Sequence, residues 1–257
     1  MRKTPVIITR PQAQSEAFAR MIASIGRESK IFPLMEIHAL PDNTELDAIL
    51  AQLSDFALVA FVSPNAVDAV FLRIKHWPSD VAIAVMGAGS RAALAAHGIT
   101  DANTCIISPT NPDRTDSETL LEELDLDGLR ASRVLIVRGE TGRELLADAL
   151  RENSVFVTQV AAYRRAAPEF TQQRQQCLFE LLSSENEWVV TSSDALRTML
   201  FWAEQLNFDG AVAKMQHQQL IVPHVRIAET AKILGFQSIT LTGSGDERLL
   251  VALQSHL

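Results

Sequence analysis

The sequence has little with which to attract an anionic surface, hold a metal or cross a membrane. Acidic residues outnumber basic ones by 31 to 23, a formal net charge of −8. That balance excludes a general electrostatic attraction for nucleic acid or anionic lipid. The only cysteines, Cys105 and Cys177, lie far apart with no CxxC spacing, which excludes a disulfide scaffold. The six histidines (His38, His76, His97, His217, His224 and His256) form no HxH or HxxxH pair, so each reads as a surface or hydrogen-bonded side chain rather than a metal ligand. No apolar run approaches the roughly 18 residues of a membrane span. Arg2 and Lys3 resemble the basic start of a secretory leader, but Val6-Ile7-Ile8 is too short for its apolar core and stops at Arg10-Pro11. The cytoplasm is the expected compartment. A GxxxxGK[ST] phosphate loop is missing, since Gly243-Ser244-Gly245 lacks the lysine, and so is a GxSxG elbow. Neither a cofactor nor a metal is expected.

What the sequence does have is alternation. Val6 to Thr9 reads as a buried strand, followed by a helix over 15–25 with Phe18, Met21, Ile22 and Ile25 on one face and Gly26 as its stop. Short apolar runs recur at 31–32, 58–62, 81–86, 105–107, 134–137, 155–160, 189–191, 220–222 and 239–241. Helical patterns separate most of them, at 66–73, 91–96, 118–124, 144–150, 195–203 and 227–234. Strands alternating with helices imply doubly wound parallel sheets. At roughly 150 residues per domain, 257 residues fit one large domain or two small ones.

The chain also repeats. Val6-Ile7-Ile8-Thr9-Arg10 plus a helix matches Val134-Leu135-Ile136-Val137-Arg138 plus a helix, at an offset of 128. Phe61-Val62-Ser63-Pro64-Asn65-Ala66 matches Val190-Thr191-Ser192-Ser193-Asp194-Ala195, at an offset of 129. A looser pair sets Arg91 to Leu94 with Gly98 against Thr230 to Leu234 with Gly235. Matches in one order at nearly one spacing predict two similar α/β domains. Two Pro-bounded extended stretches, Pro33 to Pro41 and Ala161 to Pro168, each follow the second strand of a repeat. They read as segments outside the sheets and as crossings between domains.

With these motifs in place, the chain resembles the uroporphyrinogen-III synthase family. The resemblance lies in Thr9-Arg10-Pro11, Ser63-Pro64-Asn65-Ala66, Gly87-Ala88-Gly89-Ser90, Ser117-Glu118, Arg138-Gly139 with Arg143, the lone Tyr163, Thr191-Ser192 and Ile227 to Ala231. It runs in order from residue 5 to about 235, and the ordered set carries it rather than any one motif. Ser90 stands where the family usually has Thr, Arg91 where Ala is common, and His224 precedes the Val-Arg-Ile-Ala segment. The resemblance implies two flavodoxin-like doubly wound domains joined by a two-stranded linker, one of residues 1–37 plus 166–257 and the other of residues 38–165. It implies a cofactor-free lyase that closes hydroxymethylbilane, a linear tetrapyrrole bearing many carboxylates, with its last pyrrole inverted. As partners it implies that substrate and a transient contact with the preceding pathway enzyme, with no nucleic acid or membrane, and a monomer.

The candidate site residues follow from that frame. Ligands of open parallel sheets bind beyond the carboxyl ends of the strands, where helix N-termini offer free amides and partial positive charge. A protein of net charge −8 must hold a polycarboxylate by such local groups. Arg10 and Arg138 occupy equivalent strand ends, and their guanidinium forks suit carboxylates, although each could equally pair with an acidic neighbour. Ser63, Ser90, Ser192 and Thr230 are placed at strand ends or first helical turns, where a hydroxyl caps a helix, borders a ligand or does both. With Asn65 these are the expected substrate-binding residues. Tyr163 is the expected catalytic residue, giving or taking a proton near the leaving hydroxyl, against the alternative that its ring only packs.

Two other readings compete. Gly87-Ala88-Gly89-Ser90-Arg91-Ala92 fits the dinucleotide pattern GxGxxA, but Ser108-Pro109 stands where an acidic residue should close the fingerprint. Two domains with a double crossing also describe a small-molecule binding module of the solute-binding type. That class needs a leader or a DNA-binding headpiece, and the sequence reads as having neither.

Overall fold

The computed structural model describes residues 4–110 and 117–255, so Arg2, Lys3 and His256 lie outside the described residues. The chain opens with β1 (Val6–Ile8), α1 (Gln12–Ser24), β2 (Ser29–Ile31) and β3 (Glu36–His38). It continues through α2 (Thr44–Leu50), β4 (Leu58–Phe61), α3 (Pro64–Phe71), β5 (Ala82–Val85), α4 (Ala88–Ala96) and β6 (Ile106–Ile107). Then come α5 (Ser117–Glu123), β7 (Arg133–Gly139), α6 (Leu145–Glu152) and β8 (Phe156–Ala166). The last stretch holds α7 (Gln172–Leu182), β9 (Glu187–Val189), α8 (Ser193–Gln205), α9 (Ala211–Gln216), β10 (Gln219–Val222), α10 (Val225–Ile233), β11 (Ser238–Leu241) and α11 (Asp246–Ser255).

These elements form two compact units, Met1–Glu36 with Ala166–Leu257 and Ile37–Arg165. The first carries a sheet of order β11-β10-β9-β1-β2, the second a sheet of order β3-β8-β7-β4-β5-β6. The two repeats run as β1, β2, β4, β5, β6 and as β7 to β11. Numbered within its repeat, each sheet then has the order 2-1-3-4-5, the flavodoxin-like arrangement. Each sheet takes its first two strands from one repeat and its last three from the other. The first unit joins β1 and β2 to β9, β10 and β11; the second joins β7 and β8 to β4, β5 and β6.

Both sheets are covered on both faces, which is why their strands read as continuous apolar runs. In the first unit, Ile7 packs with Phe32, Trp188, Met199 and Trp202, while Val6 and Ile8 pack with Phe18, Ile22 and Leu249. In the second, Phe61, Leu135 and Val137 join Val67 and Val70, while Ala60, Val134 and Ile136 join Leu120, Leu146 and Leu150. Among the described residues no helix is long and apolar enough to cross a membrane.

The stretches 33–41 and 161–168 are not outside the sheets, as their prolines suggested. β8 runs unbroken through Ala166, and β3 is the edge strand beside it. Pro33, Pro41 and Pro168 all fall beyond the strand ends, so no ladder donor is lost. Helices α2, α7, α9 and α11 were not read from the sequence at all. α7 opens with Gln172, Gln173, Arg174, Gln175 and Gln176, so its apolar residues are confined to its second half.

One buried ion pair ties the first unit together. After α1, Gly26 takes a φ of 71°, and the amides of Gly26 and Arg27 close the helix on Ala23 and Ile22. The turn sends Arg27 inward, where Nη1 stands 2.6 Å from the carboxylate of Glu187 at the start of β9, with both side chains under 5% exposed. Arg27 also donates to the carbonyls of Leu253 and Thr4, so it joins four stretches of chain. Removing one member of such a pair leaves an uncompensated buried charge, at a cost of about 3–5 kcal/mol. Arg27→Met should therefore lower the free energy of unfolding in denaturant by that order, and Arg27→Met with Glu187→Leu by much less. An equal loss in single and double variants would show that the charge pairing is not what the site requires.

Candidate functional site

In a 2-1-3-4-5 sheet the strand order reverses between the first and third strands, and their carboxyl ends open the crevice in which such folds bind ligands. In the second unit those strands are β7 and β4. Beyond β4, Ser63 caps α3, its Oγ accepting from the Ala66 N–H at 3.2 Å, with Pro64 set for the first turn. At the carboxyl end of β7 stand Arg138 and Gly139, and alongside them Tyr163 of β8.

A bulge decides where Tyr163 points. Arg138 pairs with Ala161, but Gly139 pairs with Tyr163, so β8 carries one extra residue at this step. Side chains alternate across a strand, and the insertion reverses the alternation. Without it Tyr163 would face the side of Leu146 and Leu150; with it the ring joins Phe61, Val67 and Ala162 in the core beneath α3. There it is only 2% exposed, and its hydroxyl lies 2.9 Å from Ser63 Oγ. The ring crosses Gly139 so closely that a Cβ there would stand 3.1 Å from Cε2 and Cζ. Arg165, two residues on along the strand, donates from Nη2 to the Tyr163 hydroxyl at 3.0 Å.

Counting donors shows what this group can do. Each hydroxyl has one proton and can accept about two hydrogen bonds. Arg165 donates to Tyr163 and Ala66 to Ser63, so neither hydroxyl needs to receive more than its partner's proton. Only one of the two hydroxyl protons is consumed within the pair. Whichever way the shared bond points, one O–H remains to donate to a third group.

The two expected arginines are not open forks. Arg138 is 9% exposed and is held by Glu144 at 2.5 Å and Gln159 at 2.6 Å, with Gln159 in turn donating to Glu144 at 2.6 Å. Arg10 pairs with Asp246 at 2.6 Å and lies over the Phe18 ring. Ser90 is buried within the first turn of α4, and Asn65 lies in the first turn of α3. Arg91, the residue that departs from the family pattern, reaches Asp101, Ser108 and the Ile106 carbonyl, so it braces β6.

In the first unit the order reverses between β1 and β9. Thr9 donates to the Val189 carbonyl at 2.9 Å and pins the two strand ends together. Ser192 caps α8, accepting from Asp194 and Ala195. Thr230 is not in a first helical turn: it is the sixth residue of α10, and its hydroxyl returns to the Arg226 carbonyl at 2.9 Å. His224 provides the cap instead, which moves the helix start upstream of where apolar periodicity put it. Ser193 Oγ, 3.0 Å from Thr230 Oγ1, joins α8 to α10. Among the described residues no three His, Cys, Asp or Glu side chains form a metal-binding group.

Arg165 is the residue that sequence reasoning missed. The signal was its spacing, since residues two apart on a strand share a face, but nothing in the run Arg164-Arg165 singles out one of the two.

Comparison with known proteins gives one answer. The family model described as "Uroporphyrinogen-III synthase HemD" matches residues 16–242. A uroporphyrinogen-III synthase of Salmonella typhimurium strain LT2 is 30% identical over 254 residues, 97% of this chain and 99% of that protein. One of Escherichia coli K12 is 28% identical over the same shares. Among solved structures, uroporphyrinogen-III synthetase of Helicobacter pylori 26695 superposes with a TM-score of 0.65 at 16% identity, covering 99% of both chains. That likeness bears on the fold.

Two outcomes follow from the geometry. Gly139→Ala should force the Tyr163 ring to shift by a few tenths of an ångström, costing about 1–3 kcal/mol in a denaturation experiment; an unchanged midpoint would mean the ring is not fixed there. The Glu144 carboxyl is held below its ordinary value of 4.5 by hydrogen bonds from Gln159 and then Arg138. A lowered folded pKa adds stability above the ordinary titration range and loses it as pH falls through the folded value. The stability difference between wild type and Glu144→Gln should thus be constant near neutrality and shrink as pH drops through 4.5. A difference independent of pH would contradict the pairing.

Proposed function

This chain belongs to the uroporphyrinogen-III synthase family, and we infer that it closes hydroxymethylbilane to uroporphyrinogen III with Tyr163 as proton donor. The reaction is that of a cyclising hydro-lyase of tetrapyrrole and heme biosynthesis. The family match over 16–242 carries the activity, and the binding-module alternative is not favoured. The site assignment rests on the hydroxyl pair Ser63–Tyr163 at the switch point of the second unit.

The bilane's pyrrole nitrogens push out the terminal hydroxyl, and the outward O–H of the pair gives that hydroxyl the proton with which it leaves as water. The resulting azafulvene is attacked by the substituted carbon of the last pyrrole. The spirocyclic product fragments, and the ring recloses with that pyrrole inverted. The proton given to the departing water is matched by the one lost from the pyrrole carbon at the final closure. Because the substrate supplies most of the driving force, the protein's share is folding the bilane and shielding the cation, that is, positioning. No strong acid or triad is needed.

Ser63 and Ser90 at helix starts in the second unit, and Ser192 in the first, are proposed to border substrate carboxylates along with neighbouring amides. Asn65 and Thr230 complete the proposed set. Arg10 and Arg138 enter it as paired guanidiniums, which shape the loops and offer their remaining donors. We place the protein in the cytoplasm as a monomer, in keeping with its two free cysteines.

Incubation with enzymatically made hydroxymethylbilane tests the activity. The type III isomer is expected; only the type I isomer, the product of closure without inversion, would overturn it. Tyr163→Phe should slow type III formation by about 10–1000-fold while the folded state persists. Wild-type kinetics in that variant would leave Tyr163 a packing residue.

A further inference from the structure

We propose that Arg165 docks a substrate carboxylate beside the Ser63–Tyr163 hydroxyl pair, fixing the end of the bilane from which water leaves. This rests on the function above and names a residue that recognises the substrate.

Four other arginines near the strand ends have their charge met inside the protein. Arg10 pairs with Asp246, Arg91 with Asp101, Arg138 with Glu144 and Arg143 with Glu118. Arg165 has no acidic partner among the described residues, in a chain with eight more acidic than basic side chains. Among the described residues its side chain hydrogen-bonds only to the Tyr163 hydroxyl, and its Cζ stands 5.7 Å from the centre of the Tyr163 ring.

A guanidinium has five N–H donors in a planar fork. One is committed to Tyr163, and the rest belong to an exposed side chain whose charge is uncompensated. Carboxylates meet such forks through two parallel hydrogen bonds, a geometry that lysine cannot reproduce. A carboxylate seated on Arg165 therefore lies within one side chain's reach of the hydroxyl that donates. Docking and proton delivery share one rigid strand, with Tyr163 and Arg165 on the same face after the bulge.

If Arg165 only clamped Tyr163, its loss would lower kcat and spare KM. If it docks the substrate equally in ground and transition states, its loss raises KM and spares kcat. The experiment measures type III formation from hydroxymethylbilane by wild type, Arg165→Gln and Arg165→Lys, with thermal midpoints for each. Expected in Arg165→Gln is a KM raised about 10–100-fold, the range of a charge-assisted hydrogen bond, with kcat within about threefold and an unchanged midpoint. Arg165→Lys, which keeps the charge but not the fork, should recover part of that loss. Wild-type KM in Arg165→Gln overturns the docking role, whatever kcat does. A wild type that makes only the type I isomer overturns the functional reading and the docking role together.

Discussion

The parallel pairing of β1 with β9 brings together strands that lie on opposite sides of a whole α/β unit in the sequence, Thr9 and Val189 being 180 residues apart. Closing a loop of that length costs entropy, though the cost grows only slowly with length. What offsets it is local. Val6 and Ile8 are fully buried against Phe18, Ile22 and Leu249, and Arg27 meets Glu187 at the foot of β9. The exchange of strands between repeats follows from this pairing: once β1 and β2 join β9 to β11, strands β4 to β6 find their first two partners in β7 and β8. The chain must then cross twice, and β3 and β8 are where it does so, as neighbours in one ladder.

The same arrangement sets the chemistry. Each sheet acquires a switch point between strands that come from different repeats, so each site is built from residues far apart in sequence. Ser63 and Tyr163 are 100 residues apart and share a hydrogen bond of 2.9 Å. A bulge of one residue turns Tyr163 toward Ser63, and a glycine at 139 leaves room for its ring. Internal pairing of the cations near the strand ends does nothing to relieve a net charge of −8, so on the proposed reading a polycarboxylate is held by local groups. The proposed groups are a small number of oriented hydroxyls and amides, with one guanidinium beside them.

Much of the fold was legible because burial on both faces makes each strand an apolar run, and the offsets of 128 and 129 exposed the duplication. The two crossing stretches were read in place but taken to lie outside the sheets, because prolines at 33, 41 and 168 look like breaks, whereas they flank strands without entering them. Polar helices such as α7 left no periodic trace. At the site, the capping hydroxyls of Ser63 and Ser192 were readable from their position, while the place of Thr230 and the states of the arginines were not. Asp246, which holds Arg10, is 236 residues away, and no local pattern announces that contact. Arg138 and Glu144 are close in sequence, but their closed triad needs Gln159 from the neighbouring strand. Nor could the bulge be read, since Ala161 and Ala162 differ in nothing that marks an inserted residue.

That Ser63 and Tyr163 act as one donor, with a single outward proton between them, is the claim on which the site stands. A double-mutant cycle of Ser63→Ala and Tyr163→Phe, read as the rate of type III formation from hydroxymethylbilane, tests it most directly. Each single substitution should slow the reaction, and the double variant should be little slower than the worse single one. Fully multiplicative losses would mean two independent hydroxyls, and the shared-proton mechanism would be wrong.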